Sequence, residues 1–420
     1  MSVVRKSSWS PAGAVMLALG GLWGCAPSGP APEAPPVFNN TTDPTNGGSN
    51  YLGSAACGAC HPEIAALHSI HGHAHQLNRI EGVAPTYPGE ASGGNVPQPP
   101  SGFAWEDISY VIGGYLRRAL FVDQDGYILE TGVTGVNTQW NLTFPDNGAV
   151  AGFVAYNATQ TQRQPYEYSC FVCHTTGPRP QDPNLPVFQE NRKGIAGTWQ
   201  EAGVRCEACH GPGSRHVGNP HNRDEFTDAS ARFCGTCHAP GTGEVIQAEG
   251  GFIQYREQYA EFRASGGHAG LACVDCHDPH ASALNSENGF RQPCTACHPD
   301  KDLGFHAGKV YTRGDFVEEL ECQSCHLPLA GKSATSFIVG DSAGRVGDVH
   351  THIFRISTEP VGFTAMFTPD GSAVVKDSAG KAAVTVDFVC LRCHNSDNGF
   401  PFRLTIRSAS EIAIGIHGFK

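Results

Sequence analysis

The chain has 420 residues, a formal net charge of −12 and 80 Gly and Pro residues, about 19% of the total against roughly 12% in average proteins. So many interrupting residues exclude a long helical bundle, and the acidic balance argues against nucleic acid and anionic lipid surfaces as partners. The 17 Cys beside 20 His are the most unusual part of the composition, and disorder does not account for them.

The N-terminal residues predict an export signal and a lipid anchor. Basic residues 5–6 precede an apolar stretch, residues 12–23, which has signal-peptide length and is too short for a typical membrane span. Residues 22–25 (Leu-Trp-Gly-Cys) resemble the lipobox of bacterial lipoproteins, in which the cysteine, here Cys25, becomes the lipidated first residue. The alternative is an unmodified Cys25 that is removed with the signal. Residues 26–50 are rich in Pro and Gly, which predicts a flexible tether, so we expect an exported outer-membrane lipoprotein that faces the periplasm or the cell surface.

The other sixteen cysteines fall into eight copies of one pattern, Cys-x-x-Cys-His, where chance predicts fewer than about 0.1. Two residues between the cysteines let both sulfurs reach the vinyl groups on one edge of a haem, and the next residue then lies under the iron as its proximal ligand. Numbered along the chain, motifs one to eight begin at Cys57, Cys170, Cys206, Cys234, Cys273, Cys294, Cys322 and Cys390. The second cysteines are Cys60, Cys173, Cys209, Cys237, Cys276, Cys297, Cys325 and Cys393. The predicted proximal ligands are His61, His174, His210, His238, His277, His298, His326 and His394.

Zinc sites and disulfides are the alternative interpretations of this pattern. A structural zinc site needs four ligands and would pair the motifs, with no reason for a His after every second Cys. Disulfides are allowed in an exported chain but leave the eight histidines without a role. We therefore expect eight c-type haems as the cofactors.

Twelve histidines outside the motifs are available as second axial ligands, and eight suffice for eight irons. The three methionines are Met1, Met16 and Met366, and the first two leave with the signal. Histidine on both faces of the iron is therefore expected for nearly every haem. Such ligation lacks the methionine that raises the potential, so mostly low reduction potentials are expected.

Local sequence ranks these twelve histidines. Short Gly or Pro turns join three of them to a motif, namely His216, His268 and His280. A helix predicted over residues 62–77 would put His68, His71 and His75 on one face that can serve two haems. The predicted distal ligands are His71, His75, His216, His268, His280, His306, His352 and His417. Histidines expected to be exposed or to support a ligand from behind are His73, His221 and His350.

Motif spacing predicts the domain organisation. In the long gap before motif two, β-branched and aromatic runs over residues 107–143 are interrupted at Asp125-Gly126, which predicts a hairpin and three or more strands. In the gap before motif eight, residues 365–367 and 382–389 predict a second small antiparallel element. The expected segments are a signal peptide (1–24), a lipidated cysteine and tether (25–50), a first haem segment (51–100), a β-rich insertion (101–165), a dense haem segment with six motifs (166–330) and a β-hairpin region with the last haem (331–420).

The chain resembles bacterial multihaem c-type cytochromes, specifically octahaem lipoproteins. Residues 51–76 and 206–216 are similar to the group of cytochrome c554 and hydroxylamine oxidoreductase, and this resemblance implies His71 and His216 as distal ligands. Residues 112–130 and 348–356 look like segments of outer-surface cytochromes of metal-reducing bacteria. The fold class expected is a multihaem cytochrome c, with short helices and loops packed around eight haems, small antiparallel β insertions and little regular core.

Three functions are compatible with these features. The first is an electron relay between periplasmic or outer-membrane carriers and an extracellular, mineral or membrane acceptor, because the surplus of histidines leaves no iron obliged to stay open. The second is a reductase or oxidase of a small nitrogen or sulfur oxyanion, which needs one five-coordinate haem with acid and base groups above it. The third is a cytochrome filament, in which a surplus histidine ligates a haem of the next subunit.

Overall fold

The computed structural model describes residues 42–43, 48–88, 95–184, 186–221, 228–239, 243–283, 288–314, 316–341, 343–397 and 402–418. The predicted signal peptide and Cys25 lie outside the described residues. Within these ranges, no helix combines the length and the apolar character that crossing a membrane requires.

The helices are short, as the Gly and Pro content predicts, and the longest α-helices have eight residues. The α-helices are α1 Ser54–Gly58, α2 Pro62–Ser69, α3 Thr131–Thr134, α4 Tyr168–Phe171, α5 Cys206–His210, α6 Ser214–Gly218, α7 Ala231–His238, α8 Gln258–Arg263, α9 Cys322–His326, α10 Val386–Val389 and α11 Ile406–Ala413. Single 3₁₀ turns span Gly72–His75, Trp105–Asp107, Pro145–Asn147, Gln189–Asn191, Gly266–Gly270, Cys273–Asp275, Cys294–Ala296, Gly304–His306, Phe363–Met366 and Ile416–Gly418.

The strands are also short and form several small sheets. They are β1 Thr42–Asp43, β2 Ser49–Asn50, β3 Leu77–Arg79, β4 Ile108–Gly113, β5 Arg118–Asp123, β6 Tyr127–Ile128, β7 Gln139–Asn141, β8 Gly152–Val154, β9 Gln164–Pro165, β10 Thr175–Thr176, β11 Arg179–Pro180, β12 Gly197–Thr198, β13 Glu201–Ala202, β14 Ala248–Glu249, β15 Phe252–Gln254, β16 Val310–Arg313, β17 Phe316–Glu319, β18 Gly331–Lys332, β19 Phe337–Val339 and β20 Gly344–Val346.

The largest sheet occupies the gap between motifs one and two, where strands were predicted. Its order is β3-β4-β5-β6-β9, with β7 paired to β5 and β8 to β7, and every pairing is antiparallel. The predicted hairpin turn at Asp125-Gly126 joins β5 to β6, and the Asp123 carboxylate accepts the backbone N–H groups of Asp125 and Tyr127 at 3.0 Å. Gly114, in the turn between β4 and β5, has a φ of +84°, and a Cβ there would collide with the Tyr87 hydroxyl. Only glycine allows this turn.

The second antiparallel element, predicted from residues 365–367 and 382–389, does not form as a sheet in the structure. Residues 363–366 form a 3₁₀ turn, and residues 386–389 form α10. Only isolated bridges, such as Phe367 with Val374, connect the extended residues of this region. The apolar side chains of this region pack into the core instead, where Phe388 and Val384 are fully buried.

Apolar cores support the cysteines of motifs two, seven and eight. One lies against the large sheet and contains Tyr110, Tyr166, Phe171 and Trp199, and Cys170 of motif two packs on it. The other contains Phe252, Ile253, Val384 and Phe388, and Cys325 and Cys390 of motifs seven and eight pack on it. The cysteines of these motifs therefore lie at the edge of ordinary side-chain core.

Candidate functional site

Each motif begins on or directly after one short helical turn. In motifs one, five, six and eight the N–H of the histidine donates to the carbonyl of the first cysteine at 2.9 to 3.0 Å. In motifs three, four and seven the turn belongs to α5, α7 and α9. A helical turn puts residues three and four apart on one side, so both sulfurs and the imidazole of a motif can meet one haem.

Seven of the eight motif histidines stand opposite a histidine from outside the motifs. The pairs, with the distances between ring centres, are His61 with His216 (6.3 Å), His210 with His280 (6.2 Å), His238 with His73 (6.0 Å), His277 with His352 (6.2 Å), His298 with His268 (5.8 Å), His326 with His417 (5.8 Å) and His394 with His306 (6.1 Å). A metal held between two imidazoles needs two bonds of about 2 Å, and each ring centre lies about 1 Å behind its nitrogen, so the ring centres stand about 6 Å apart. The observed pairs therefore fit an iron with two axial histidines.

The surroundings of these rings keep them oriented. Nδ1 of His326 and Nδ1 of His394 lie 2.8 and 3.0 Å from backbone carbonyl oxygens, and Nδ1 of His417 lies 3.0 Å from a third. An acceptor behind Nδ1 fixes the ring and leaves Nε2 to face the metal. Burial lowers the pKa of His352 to about 3 and that of His73 well below its usual value. Both rings are therefore neutral near pH 7, as metal ligation requires.

Six of the predicted distal histidines belong to these pairs, whereas His71 and His75 do not. The predicted helix over residues 62–77 is wrong, because α2 ends at Ser69 and a 3₁₀ turn follows at Gly72–His75. This turn brings His73 to motif four. It also directs Nε2 of His75 to the Ser69 carbonyl at 2.9 Å, while the His75 ring stacks on Tyr115.

The remaining histidines outside the motifs pair with no motif histidine within the described ranges. The rings of His68 and His71 lie 5.9 Å apart, and His71 also stacks on His73. His221 is exposed. Nδ1 of His350 lies 2.5 Å from the Leu327 carbonyl oxygen.

His174 of motif two is the exception among the eight motif histidines. Its N–H donates to the Phe171 carbonyl at 3.0 Å rather than to the first cysteine. Its Nδ1 lies 3.0 Å from the Tyr166 hydroxyl, and in the described part of the chain its ring contacts Tyr166 and no second imidazole. The sequence did not reveal this difference, because motif two has the same pattern as the other seven.

Two arginines lie beside motif two. Burial and then the positive charges of Arg256 and Arg118 lower the pKa of His174 to about 4. The guanidinium carbons of both arginines approach the ring of Tyr255, at 4.9 Å from its centre for Arg118 and 5.3 Å for Arg256. Within the described residues, motif two therefore combines a histidine that faces no second imidazole with two neighbouring arginines.

The chain matches known proteins in sequence and in fold. The family of cytochrome c554 and c-prime matches residues 151–211, which hold motifs two and three. The chain is 23% identical over 285 residues to the dissimilatory sulfite reductase MccA of Wolinella succinogenes, a match that covers 53% of this chain and 38% of that protein. It is 24% identical over 175 residues to the multiheme cytochrome MtrA of Shewanella baltica, covering 38% and 45%. The chain thus aligns with less than half the length of either relative.

The solved structure of the octaheme sulfite reductase MccA of Wolinella succinogenes resembles this chain with a TM-score of 0.56 at 17% identity, over 87% of this chain and 71% of that one. The chain therefore has the fold of a multihaem c-type cytochrome and is related to these proteins. Haem iron is its cofactor.

Proposed function

We propose that this multihaem c-type cytochrome carries eight haems, one at each motif, and relays single electrons between redox partners outside the cytoplasm. The observation that carries the proposal is the set of seven histidine pairs, each about 6 Å between ring centres. Haem supplies a reversible one-electron exchange at its iron. The chain contributes two imidazoles at each of the seven paired motifs, and Nδ1 of three of these rings lies within 3.0 Å of a backbone carbonyl oxygen.

The partners and the location belong to the same proposal. We expect other redox proteins, or an extracellular or mineral acceptor, to exchange electrons with the chain. Lipidation at Cys25 would hold it at the outer membrane.

Spectroscopy of the ferric protein tests the relay. We expect eight haems per chain by pyridine haemochrome assay and low-spin signals from at least seven irons by electron paramagnetic resonance. Dithionite should reduce all eight haems, and an added soluble Fe(III) chelate should reoxidise them. Substantial high-spin iron at several sites would contradict the proposal, because the relay needs closed coordination at the paired motifs.

The surroundings of His174 favour a second candidate function, the reduction of a small oxyanion at motif two. If no imidazole closes the coordination at motif two, that site can accept a small ligand, and the positive charges of Arg118 and Arg256, which act on His174, favour an anion. Guanidinium groups bind oxyanions through charge-assisted hydrogen bonds in a planar fork. The similarity to a sulfite reductase supports a sulfur oxyanion as the substrate.

The chemistry of this second function balances with the relay. Each oxygen removed from the oxyanion as water takes up two electrons, which the relay supplies from a reduced partner, and two protons from solvent. The partly buried phenol of Tyr156, whose pKa is raised by burial and whose electrostatic neighbours include Arg118 and Cys170 of motif two, is a group here that can donate a proton. Its raised pKa keeps it protonated near pH 7.

Anion binding tests the second function separately. We expect one high-spin ferric signal that disappears when sulfite is added. The Arg256→Gln variant should weaken sulfite binding by about tenfold or more, the usual size of a lost charge-assisted hydrogen bond, and Arg256→Lys should restore part of it. Arg263→Gln, an exposed change on α8, is the matched control and should bind as the parent does. Eight low-spin irons and no response to sulfite would rule out this function and leave the relay intact.

A further inference from the structure

Glu207, the residue after the first cysteine of motif three, carries an almost fully buried carboxylate and is 3% exposed. This carboxylate accepts four hydrogen bonds from three backbone N–H groups, all of them outside α5, the helix that contains Glu207. Its Oε1 lies 2.9 Å from the Leu52 nitrogen and 2.8 Å from the Gly213 nitrogen. Its Oε2 lies 2.7 Å from the Gly53 nitrogen and 3.1 Å from the Leu52 nitrogen. One side chain therefore joins two segments that are far apart in the chain.

The first of these segments leads into motif one. Gly53 directly precedes α1, which contains Cys57, and its φ of +85° lies in the region that favours glycine. The N–H of His61 donates to the Cys57 carbonyl at 2.9 Å, and α1 packs on α5. The Glu207 carboxylate thus holds the start of the helical turn that leads to the motif-one histidine.

The second segment leads into the histidine opposite His61. Gly213 directly precedes α6, which contains His216. The hydroxyl of Ser214, the first residue of α6, accepts the Asn50 N–H at 2.8 Å, and α6 packs on β2. The start of α6 is therefore tied twice to the residues before motif one, by the Glu207 carboxylate and by this hydroxyl.

We infer that Glu207, which belongs to motif three, is a positioning residue for the two axial ligands of motif one. The ring centres of His61 and His216 lie 6.3 Å apart, and the carboxylate holds the backbone that leads to each of these rings. Hydrogen bonds behind the ligands of a metal set their orientation and their distance from it. The inference rests on the proposed relay, in which these two histidines ligate one iron, and it adds that motif one depends on motif three for its closed coordination.

The geometry requires a carboxylate at this position. Each oxygen of Glu207 accepts from two N–H groups, so both oxygens must be acceptors. In Glu207→Gln the amide nitrogen, which is a donor, would face a backbone N–H whichever way the amide is turned. Glu201 provides the contrast, because the N–H and the hydroxyl of Ser54 both reach its Oε2, each at 2.9 Å. An amide oxygen can keep both of these bonds.

Carbon monoxide binding to the dithionite-reduced protein tests the inference. Carbon monoxide binds ferrous haem iron where the distal position is open, so its apparent affinity rises in proportion to the open fraction. Glu207→Gln should raise this affinity at one haem by about tenfold or more, the usual effect of losing a charge-assisted hydrogen bond. Ser214→Ala, a milder change, should raise it at the same haem by about threefold. The parent protein gives the baseline for every other haem.

The matched control is Glu201→Gln, the same substitution at a carboxylate that holds the start of α1 alone. It should change the carbon monoxide affinity by less than about twofold, because the amide oxygen can still accept both Ser54 donors. The pyridine haemochrome assay should give eight haems per chain in every variant, which shows that the new binding comes from an opened haem and not from a lost one.

Loss of a distal histidine identifies which haem has opened. His216→Ala opens motif one itself, so Glu207→Gln should add nothing in that background. His280 stands opposite His210 of motif three, and His280→Ala opens that motif instead. In this second background Glu207→Gln should still raise the affinity at another haem by about tenfold or more. If the effect of Glu207→Gln vanished in His280→Ala and persisted in His216→Ala, Glu207 would serve its own motif and the inference would be overturned.

The inference and the proposed relay fail differently. If His216→Ala opened no haem, the ligation that the relay assumes at motif one would be wrong. If His216→Ala opened a haem but Glu207→Gln and Ser214→Ala did not, the relay would stand and the role of Glu207 would be overturned. Should Glu207→Gln not fold, the result for Ser214→Ala decides in the same way.

Discussion

Motifs two and six carry the same five-residue pattern in opposite surroundings. Motif two begins within α4, and Phe171 of that helix, Tyr166 and Trp199 are almost fully buried. Around motif six, all twelve residues of the range 291–302 are exposed. The same chemistry is thus attached once to a packed aromatic core and once to a loop with almost no core of its own.

This difference shows what the cofactor does for the fold. Close-packed apolar side chains hold motif two, so its backbone has support that does not depend on haem. A loop like that around motif six cannot offset its conformational entropy by burial of side chains, and the haem itself must supply the apolar surface. Motif two is therefore supported by side chains, and motif six depends on its haem for support.

Removal of single haems should produce the largest difference between motifs two and six. In Cys294→Ala with Cys297→Ala, residues 291–302 should lose amide-exchange protection almost completely, because no buried core remains to order them. In the matched variant Cys170→Ala with Cys173→Ala, the residues around Trp199 should keep most of their protection. Hydrogen exchange read by mass spectrometry measures both, and equal loss at the two motifs would mean that the aromatic core does not support motif two independently.

Truncation of the core should have the next largest effect. Trp199 is 2% exposed and packs against Phe171 and Tyr110, with ring centres 5.1 and 5.4 Å away. Trp199→Ala should lower the free energy of unfolding by about 3–5 kcal/mol, as for other large aromatic side chains cut from a core. Guanidinium denaturation followed by far-ultraviolet circular dichroism measures the change.

The matched control for this truncation lies in the exposed region. Phe290 is 45% exposed, and Phe290→Ala should change the free energy of unfolding by less than about 1 kcal/mol. If Trp199→Ala and Phe290→Ala lowered the free energy of unfolding by similar amounts, the distinction between support by side chains and support by haem would be contradicted.

Sequence reasoning foresaw the motifs and the sheet but not the contrast between motifs. The periodicity of residues 107–143 and the turn at Asp125-Gly126 are local signals, and the strands follow them. The histidine pairs join residues far apart in the chain, such as His61 with His216. The sequence indicated some of these histidines only through the short Gly or Pro turns that join them to a motif.

His73 was missed for a local reason and the His174 environment for a long-range one. Because α2 ends at Ser69 and a 3₁₀ turn follows, the histidines after Ser69 do not continue the face of α2. The spacing of the histidines in the sequence does not predict this end of the helix. Arg118 and Arg256 come from separate elements, and only the folded chain brings them to motif two.

A third kind of support lies between motifs seven and eight. The guanidinium of Arg392 forms two hydrogen bonds of 2.8 Å to the Glu318 carboxylate, and the Arg392 side chain is 7% exposed. Burial acts to raise the pKa of Glu318, but the hydrogen bonds and charge of Arg392 outweigh it and lower that pKa below its usual value. Glu318→Gln leaves a buried charge unpaired and should cost about 3 kcal/mol at pH 7.

The pH dependence of this cost follows from the sign of the shift. A carboxylate with a lowered pKa in the folded state stabilises the protein above its unfolded pKa, about 4.3, and this contribution is lost as pH falls through the folded pKa. The difference between parent and variant should therefore be constant near pH 7 and shrink below about pH 4. Asp377→Asn in the exposed pair with Arg355 should change little at any pH, and an equal effect there would show that burial does not matter.

The smallest expected effect concerns the hydroxyl behind His174. Tyr166→Phe keeps the aromatic packing but removes the hydrogen bond to Nδ1, 3.0 Å long, so the free energy of unfolding should fall by about 1 kcal/mol. An acceptor at Nδ1 makes a ligating imidazole more basic, and its loss should raise the reduction potential at motif two alone. Tyr168→Phe, whose ring also packs on Phe171, is the control and should leave that potential in place. If stability fell while the reduction potential stayed in place, Tyr166 would only fill the core. The Tyr166 hydroxyl would then have no part in setting the reduction potential at motif two.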